Sequence, residues 1–433
     1  MLSVKKNSSL LNFIALGIIT LLPLIFIFRS ASVNLATIIL SFIILYFLAS
    51  KKINTGNLFK NLTLKYLFFF LLFIFLNSLY HQQSLLLVAK SIGNFRYLLL
   101  TIAVFYILEN TDEYWIKILI YFNAILITLI SLDIIYQYIF YENIFGFKPG
   151  MCPKGILEGC DRFSGIFNDE WIAGGYLAQI GLLFLILIFS LKFISKKYNI
   201  LLFFSMMLLF LTIILTGERN ATLIFILSIF FFLIFNRNFK KLAYVLIFSI
   251  SIIIFLGNFS KSIESRFINP LKSLNQYSLT QLYNKLQTSP WGNHYNAAVE
   301  LFLEKPVLGH GPKSFRNVCN NTLIEKNLKD RESLYSSCST HPHNYLLEFM
   351  SENGLVGGLF YIGFILIILF QILNFDPKTK FKNLSSLAIA SLILAILFPF
   401  KPSGSFFSTF NATMFFYILG FYLHYKSQDL NKI

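Results

Sequence analysis

Long apolar runs separated by short polar stretches follow one another along almost the whole chain. Each run has about 17 to 25 residues, enough for an α-helix to cross a hydrocarbon core of about 30 Å. The pattern predicts an all-α, polytopic membrane protein with about twelve transmembrane helices. The predicted spans are residues 10–28, 32–50, 64–80, 92–109, 115–140, 172–194, 199–216, 219–236, 241–258, 350–373, 384–400 and 404–424.

The composition agrees with this pattern. Of the 433 residues, 56% are hydrophobic and only 13% are charged. A soluble protein of this length could not hide so much apolar surface. The first run, residues 10–28, lacks a small-residue cleavage site and is followed at once by another run, so it indicates a retained helix rather than a cleaved signal.

Two longer polar segments, residues 141–171 and 259–342, fall on the same predicted side. Lysine and arginine concentrate on the opposite connections, so the positive-inside rule puts both termini in the cytoplasm and both segments outside. The chain then divides into helices 1 to 9 (1–258), a long helical outer loop between helices 9 and 10 (259–342), and helices 10 to 12 with a tail (343–433). This bias accounts for much of the net charge of +16, so no nucleic-acid partner is expected.

All four cysteines lie in these two outer segments. They are Cys152 and Cys160 in the first segment and Cys319 and Cys338 in the second. This placement favours a pair of local disulfides in an oxidising compartment, with a metal site of Cys and His as the alternative.

A polar stretch immediately before the tenth span contains His341, His343 and Asn344. Because Pro342 restrains the residue before it, a helix is predicted to begin at His343 or Asn344, with its unpaired amides beside the histidines. A neutral imidazole can accept a proton from a hydroxyl near neutral pH, which favours acid–base catalysis or acceptor positioning. A zinc site and a helix-capping role are the alternatives.

Two further features surround this stretch. On the helix that follows, Glu348 and Glu352 are predicted to share one stripe. Gly354, Gly357 and Gly358 are predicted to form a small surface against another membrane helix.

Arginines on the predicted outer face are candidates for binding anionic groups. Arg219 lies in a very short turn between two apolar spans, where its guanidinium can bind phosphate oxygens in a bidentate manner. The alternative is pairing with Glu218 or with a lipid phosphate. Arg162 belongs to an acidic and aromatic stretch before the sixth span, which is either a sugar-binding rim or a loop that caps the helix.

In their order and spacing, these features resemble the bacterial O-antigen ligase and O-antigen polymerase superfamily of membrane glycosyltransferases. The ligase motif is matched by His343-Asn344, followed after nine intervening residues by Gly354 and after two more by Gly357, which is the basis of the resemblance. The turn at Arg219, Gly309-His310-Gly311 and the long outer loop before the tenth helix add to the resemblance, which covers most of the chain from about residue 130.

The resemblance implies an activity. Such proteins transfer a glycan from an undecaprenyl pyrophosphate carrier in the bacterial inner membrane to an acceptor hydroxyl in the periplasm, without a metal or other cofactor. His343 resembles the essential histidine, and Arg219 resembles the arginine that binds the pyrophosphate. The expected reaction is ligation of O-antigen polysaccharide to lipid A core. The alternatives are a polysaccharide polymerase, a protein O-oligosaccharyltransferase and, from another class, a non-enzymatic transporter of lipid-linked sugars.

The chain departs from the family at one position. Ligases carry a second arginine early in the long loop, where this chain reads Trp291-Gly292-Asn293-His294-Tyr295. That role falls to His294, Arg266, Lys313 or Arg316, or is absent. The predicted substrate-binding residues are therefore His341, Asn344, His294, Arg162, Arg266, Lys313 and Arg316.

Overall fold

A computed structural model describes residues 10–150, 162–191, 196–237, 239–274, 278, 280–281, 284, 289–319, 338–373 and 384–430. In these residues the structure is helical and has no strand. The helices are α1 (Leu10–Ile25), α2 (Arg29–Ala49), α3 (Thr55–Lys60), α4 (Leu62–Tyr80), α5 (Leu85–Gly93), α6 (Phe95–Glu109), α7 (Glu113–Phe140), α8 (Ala173–Tyr176), α9 (Leu182–Ser190), α10 (Lys196–Leu215), α11 (Arg219–Phe235), α12 (Phe239–Phe259), α13 (Lys261–Ile263), α14 (Asn269–Leu274), α15 (Pro290–Glu304), α16 (Tyr345–Leu373), α17 (Leu384–Ile396) and α18 (Thr409–Leu430).

Helices cover all twelve predicted spans, and the all-α, polytopic membrane class is confirmed. Among the described residues, the long apolar helices that could cross a membrane are Leu10–Ala49, Leu62–Tyr80, Leu85–Glu109, Glu113–Phe140 and Tyr345–Leu373. Shorter apolar helices lie in the sixth to ninth and eleventh predicted spans, and α18 lies in the twelfth. The sixth span is not one regular helix, because a π-helical segment, Leu177–Gly181, joins α8 to α9.

The last helix, α18, is the centre of the bundle. Its residues from Ala412 to Tyr425 are all buried, and it packs chiefly against α6, α17 and α2. A helix that is apolar on every side is stable only when other helices surround it. Residues 397–408 join α17 to α18; Lys401 and Ser403 of this segment are buried and Phe400 is exposed. We call it the α17–α18 connection.

Contacts between helix ends bring several predicted outer segments to one end of the bundle. Arg29, at the start of α2, donates a hydrogen bond of 3.1 Å to Asp169, which precedes α8. Asn77, near the end of α4, donates a 3.0 Å bond to the carbonyl of Leu308, in the segment before α16. We call this the site end, because the predicted site residues His343 and Arg219 lie there at the starts of α16 and α11.

Helix α16 is broken at Gly354, whose φ of 64° and ψ of −162° are not helical. The part from 355 to 373 is about 28 Å long at 1.5 Å per residue, so it is the membrane span. The part from 345 to 353 is a separate short helix at the site end. The tenth span therefore begins about five residues later than the sequence predicts.

The break at Gly354 interrupts the helical hydrogen bonds of α16, and the backbone of residues 306–311 supplies partners in their place. The amide of Leu355 donates to the carbonyl of Pro306 at 2.7 Å, and the amide of Gly311 donates to the carbonyl of Glu352 at 2.8 Å. A Cβ on Gly309 would lie 2.4 Å from the carbonyl carbon of Glu352, so only glycine allows this approach. This loop and the broken helix form one unit.

The prediction that Gly357 and Gly358 face another helix is wrong. A Cβ on Gly357 would lie 2.7 Å from the carbonyl oxygen of Phe349, and one on Gly358 would lie 2.9 Å from Met350. These neighbours belong to the first part of α16. The glycines let the two parts of one helix fold tightly against each other.

The segment between α12 and α16 has a small hydrophobic core that is separate from the main core. Its buried members are Ala297, Ala298 and Leu301 of α15, with Phe315 and Cys319. The predicted disulfide between Cys319 and Cys338 is present and adjoins this core. Cys152 and Cys160 lie outside the described residues. Helix α15 lies in the outer segment that the sequence predicts to be helical, and the side chain of Ser289 caps its start.

Candidate functional site

The first part of α16 begins with a side-chain cap. The Oδ1 atom of Asn344 accepts a hydrogen bond of 3.1 Å from the amide of Leu347, and its carbonyl accepts one of 2.9 Å from the amide of Glu348. Such a cap satisfies amides that have no partner within the helix. The helix therefore begins at Tyr345, one or two residues after the predicted start.

The same cap fastens the α17–α18 connection to the start of α16. The side-chain amide of Asn344 donates to the carbonyls of Pro399 at 2.7 Å and Lys401 at 3.2 Å. The amide of Ser403 donates to the carbonyl of His343 at 2.8 Å. Asn344 thus has a positioning role, and its predicted contact with substrate stays a prediction.

Three imidazole rings and one indole ring meet just before α16. The ring centroid of His343 lies 4.1 Å from that of His341, 5.0 Å from that of His294 and 4.8 Å from that of Trp291. His294 and Trp291 come from the first turn of α15, so the cluster joins two distant parts of the chain. No group of three or more His, Cys, Asp or Glu residues in the described part of the chain is arranged to hold a metal ion. We call these four residues the histidine cluster.

Two histidines of this cluster, His341 and His343, have lowered pKa values. Burial, together with the neighbouring His294, lowers the pKa of His343 to about 4. Burial also lowers the pKa of His341 to about 4, helped by His343, His294 and the positive charge of Arg316. Each ring is therefore neutral at neutral pH and has a free nitrogen lone pair, although a pKa near 4 makes it a weaker base than an unperturbed imidazole.

Two carboxylates one helical turn apart tie loops to the first part of α16. Glu352 accepts a 2.7 Å bond from the amide of Lys313, and Glu348 accepts a 2.9 Å bond from the amide of Phe406. Both carboxylates are buried, which agrees with the prediction that they lie on one stripe of the helix. Burial lowers the pKa of Lys313, while Glu352 and Glu348 oppose that shift. The Lys313 ammonium also lies 3.4 Å from the carbonyl oxygen of Phe407.

The turn at Arg219 is held by the preceding glutamate. The carboxylate of Glu218 accepts hydrogen bonds from the amides of Gly174 at 2.9 Å and Gly175 at 3.1 Å, at the start of α8. Burial raises the pKa of Glu218 to about 7, against the effect of those amides and of Arg162. Arg219 is the first residue of α11 and is exposed at the site end.

The remaining predicted arginines lie in three different places. Arg162 lies with its guanidinium 5.6 Å from the centre of the Trp171 ring and acts electrostatically on Glu218 in the Arg219 turn. Arg316 is exposed and acts electrostatically on His341. Arg266 lies in a π-helical segment, Glu264–Ile268, between α13 and α14.

The α17–α18 connection belongs to the site although the sequence patterns did not predict it. Its Lys401 and Ser403 side chains are buried against the start of α16, beside the histidine cluster. The available signal was the polar tract from Lys401 to Ser405, which stands between two apolar runs. An ordinary turn between spans explains such a tract equally well.

Helix α17 packs along α11, which begins at Arg219. It leads into the α17–α18 connection, where the amide of Ser403 is bonded to the carbonyl of His343. One helix thus contacts both α11 and the segment beside the histidine cluster.

Residues 204–362 match the O-antigen ligase family. The chain carries an O-antigen ligase domain. This domain begins in α10 and contains the Arg219 turn, the described parts of the long segment, the histidine cluster and the break in α16. The resemblance drawn from the motifs is confirmed, and the domain indicates a membrane enzyme of glycosyltransferase type. No curated protein matches the chain.

Proposed function

We propose that this protein transfers a glycan from an undecaprenyl pyrophosphate carrier to an acceptor hydroxyl on the periplasmic face of the bacterial inner membrane. The product is O-antigen polysaccharide joined to lipid A core. The observation that carries the proposal is the histidine cluster, whose three imidazoles are half-buried, within the O-antigen ligase domain, with His343 neutral at its centre.

His343 acts as the base. As the acceptor oxygen attacks the anomeric carbon, its proton passes to the His343 imidazole and the carbon–phosphate ester bond breaks. The pyrophosphate leaves with the bonding electron pair, and Arg219 stabilises its charge. A leaving group that is already activated needs positive charge and a well-placed base, and a metal ion is not required.

The other predicted residues bind or position the two substrates. His294 and His341 lie in ring contact with His343, which suits them to hold the acceptor. Arg162, next to the Arg219 turn, binds the lipid-linked donor. Lys313, Arg316 and Arg266 provide further positive charge along the outer segment 259–342. Asn344 acts through the cap that it makes.

The experiment exploits the backbone of His343, whose φ of 56° is left-handed. Asparagine adopts this conformation more readily than most residues, so His343→Asn preserves the backbone and removes the base. We expect His343→Asn and His343→Ala each to lower transfer by about 10²-fold or more. His341→Ala should cost less, and a chelator should not inhibit the wild type. Full activity in either His343 variant would refute the catalytic role.

Mass spectrometry of surface glycolipids from a deletion strain identifies the acceptor. Loss of all polymer from lipid A core is the expected result. A single repeat unit left on the core would instead show a polymerase, and an unmodified glycoprotein would show a protein O-oligosaccharyltransferase.

A further inference from the structure

Lys401, in the α17–α18 connection, is a buried cation with an unusual set of neighbours. Its side chain is only 2% exposed. Within the described part of the chain, its ammonium group meets the ring of Tyr345, with Nζ 4.9 Å from the ring centroid, and no carboxylate. Burying an ammonium group without a counter-charge is costly, and one aromatic ring offsets only part of that cost.

A second buried polar group lies close by on the same connection. The Ser403 side chain is 5% exposed, and its hydroxyl has no hydrogen-bond partner among the described residues. The backbone amide of Ser403 is bonded to the carbonyl of His343, so this hydroxyl lies beside the histidine cluster. Buried hydroxyls are nearly always satisfied by a protein group, a water molecule or a ligand.

The start of α16 adds a third favourable feature for an anion. Tyr345, which Lys401 contacts, is the first residue of that helix, and the helix carries partial positive charge at its amino end. The cap of Asn344 serves the amides of Leu347 and Glu348 only. An ammonium group, a hydroxyl and helix amides together form a typical phosphate-binding set.

We propose that Lys401 and Ser403, with the first turn of α16, form a phosphate subsite beside the histidine cluster. The ligand class is the phosphate or diphosphate group of a lipid-linked donor, and this assignment rests on the proposed function. Without an anion, the ammonium group packs on the Tyr345 ring. When the diphosphate binds, the flexible side chain of lysine lets Nζ turn toward it. The subsite supplies a positive charge that adds to that of Arg219.

The test is direct binding to the full-length protein in nanodiscs, measured separately from transfer. The probes are undecaprenyl diphosphate, inorganic pyrophosphate and phosphatidylglycerol. Lys401→Met removes the charge at similar volume, and replacing a buried charge by an apolar side chain generally does not harm folding. Ser403→Ala is a second, smaller change that removes only the hydroxyl. Lys148→Met is the matched control, because Lys148 is an exposed lysine that follows α7 at the site end.

We expect Lys401→Met to weaken binding of undecaprenyl diphosphate by about tenfold or more, and Ser403→Ala by about twofold to fivefold. Lys148→Met should bind as the wild type does. If Lys401→Met binds all three probes as tightly as the wild type, the subsite is refuted. The same holds if the wild type binds none of them.

One outcome separates the subsite from the donor. Lys401-dependent binding of pyrophosphate or phosphatidylglycerol, without binding of undecaprenyl diphosphate, would support the anion subsite and contradict the donor that we propose. Conversely, transfer that depends on His343 but not on Lys401 would support the proposed function and refute the subsite.

Discussion

Replacing Gly354 by alanine tests whether the break in α16 holds the site together. The φ of 64° and ψ of −162° at this residue belong to a region that only glycine adopts readily. An added Cβ would also lie 2.2 Å from the carbonyl oxygen of Val307 and 2.5 Å from the amide nitrogen of Leu308. Both contacts are with backbone, which cannot turn aside as a side chain can.

The expected cost follows from these two effects. Forcing alanine into this conformation costs about 1–3 kcal/mol. Moving residues 306–311 away weakens the hydrogen bonds from Leu355 to Pro306 and from Val356 to Val307, at about 1 kcal/mol each. The sum is about 3–5 kcal/mol. We therefore expect Gly354→Ala to lower the melting midpoint by about 5 °C or more.

Thermal unfolding of the purified protein in detergent measures this cost, and glycan transfer measures its effect on the site. Gly17→Ala is the matched control, because Gly17 lies inside α1 with no heavy atom within 4 Å of an added Cβ. Alanine there should be neutral or stabilising by up to about 1 kcal/mol. If Gly354→Ala melts and transfers like Gly17→Ala, the break does not require glycine and our account of it is wrong.

Three further predictions concern the titration of two histidines, the role of Arg219 and the membrane topology. Between pH about 6.5 and about 4 the unfolded chain binds more protons than the folded one at His341 and His343, because their folded pKa values lie near 4. Thermal stability should therefore fall as the pH is lowered through this window, less steeply in His341→Gln, and an equal slope in that variant would contradict the assigned pKa. Arg219→Lys should lose most transfer activity while the protein still accumulates, because lysine lacks the planar guanidinium that binds a phosphate group through two hydrogen bonds. Near-normal transfer by Arg219→Ala would show that this arginine only anchors the turn at the membrane surface. Ser278→Cys should react with an impermeant thiol reagent on intact cells, and labelling only after lysis would overturn the periplasmic topology.

Hydrophobicity along the chain was enough to predict the helices, because a membrane span needs a long apolar run whatever it packs against. The start of α16 was also predicted to within two residues, from the restraint that Pro342 imposes, whereas the cap by the Asn344 side chain was not. The break at Gly354 was not, because it depends on backbone groups of residues 306–311, more than forty positions earlier. The Gly309-x-Gly311 pattern and Gly354 are each weak signals, and only their contact makes them one feature.

The α17–α18 connection shows why part of the site escaped prediction. The sequence predicts a span up to residue 400, but α17 ends at Ile396 and the backbone beyond it is irregular, within the predicted span. Irregular backbone at that depth is tolerated only where protein or a cavity surrounds it. Here the start of α16 satisfies three of its backbone groups, through the side chain of Asn344 and the carbonyl of His343. Each of the two segments satisfies the polar groups of the other, so the histidine cluster and Lys401 can form a site only when both are folded.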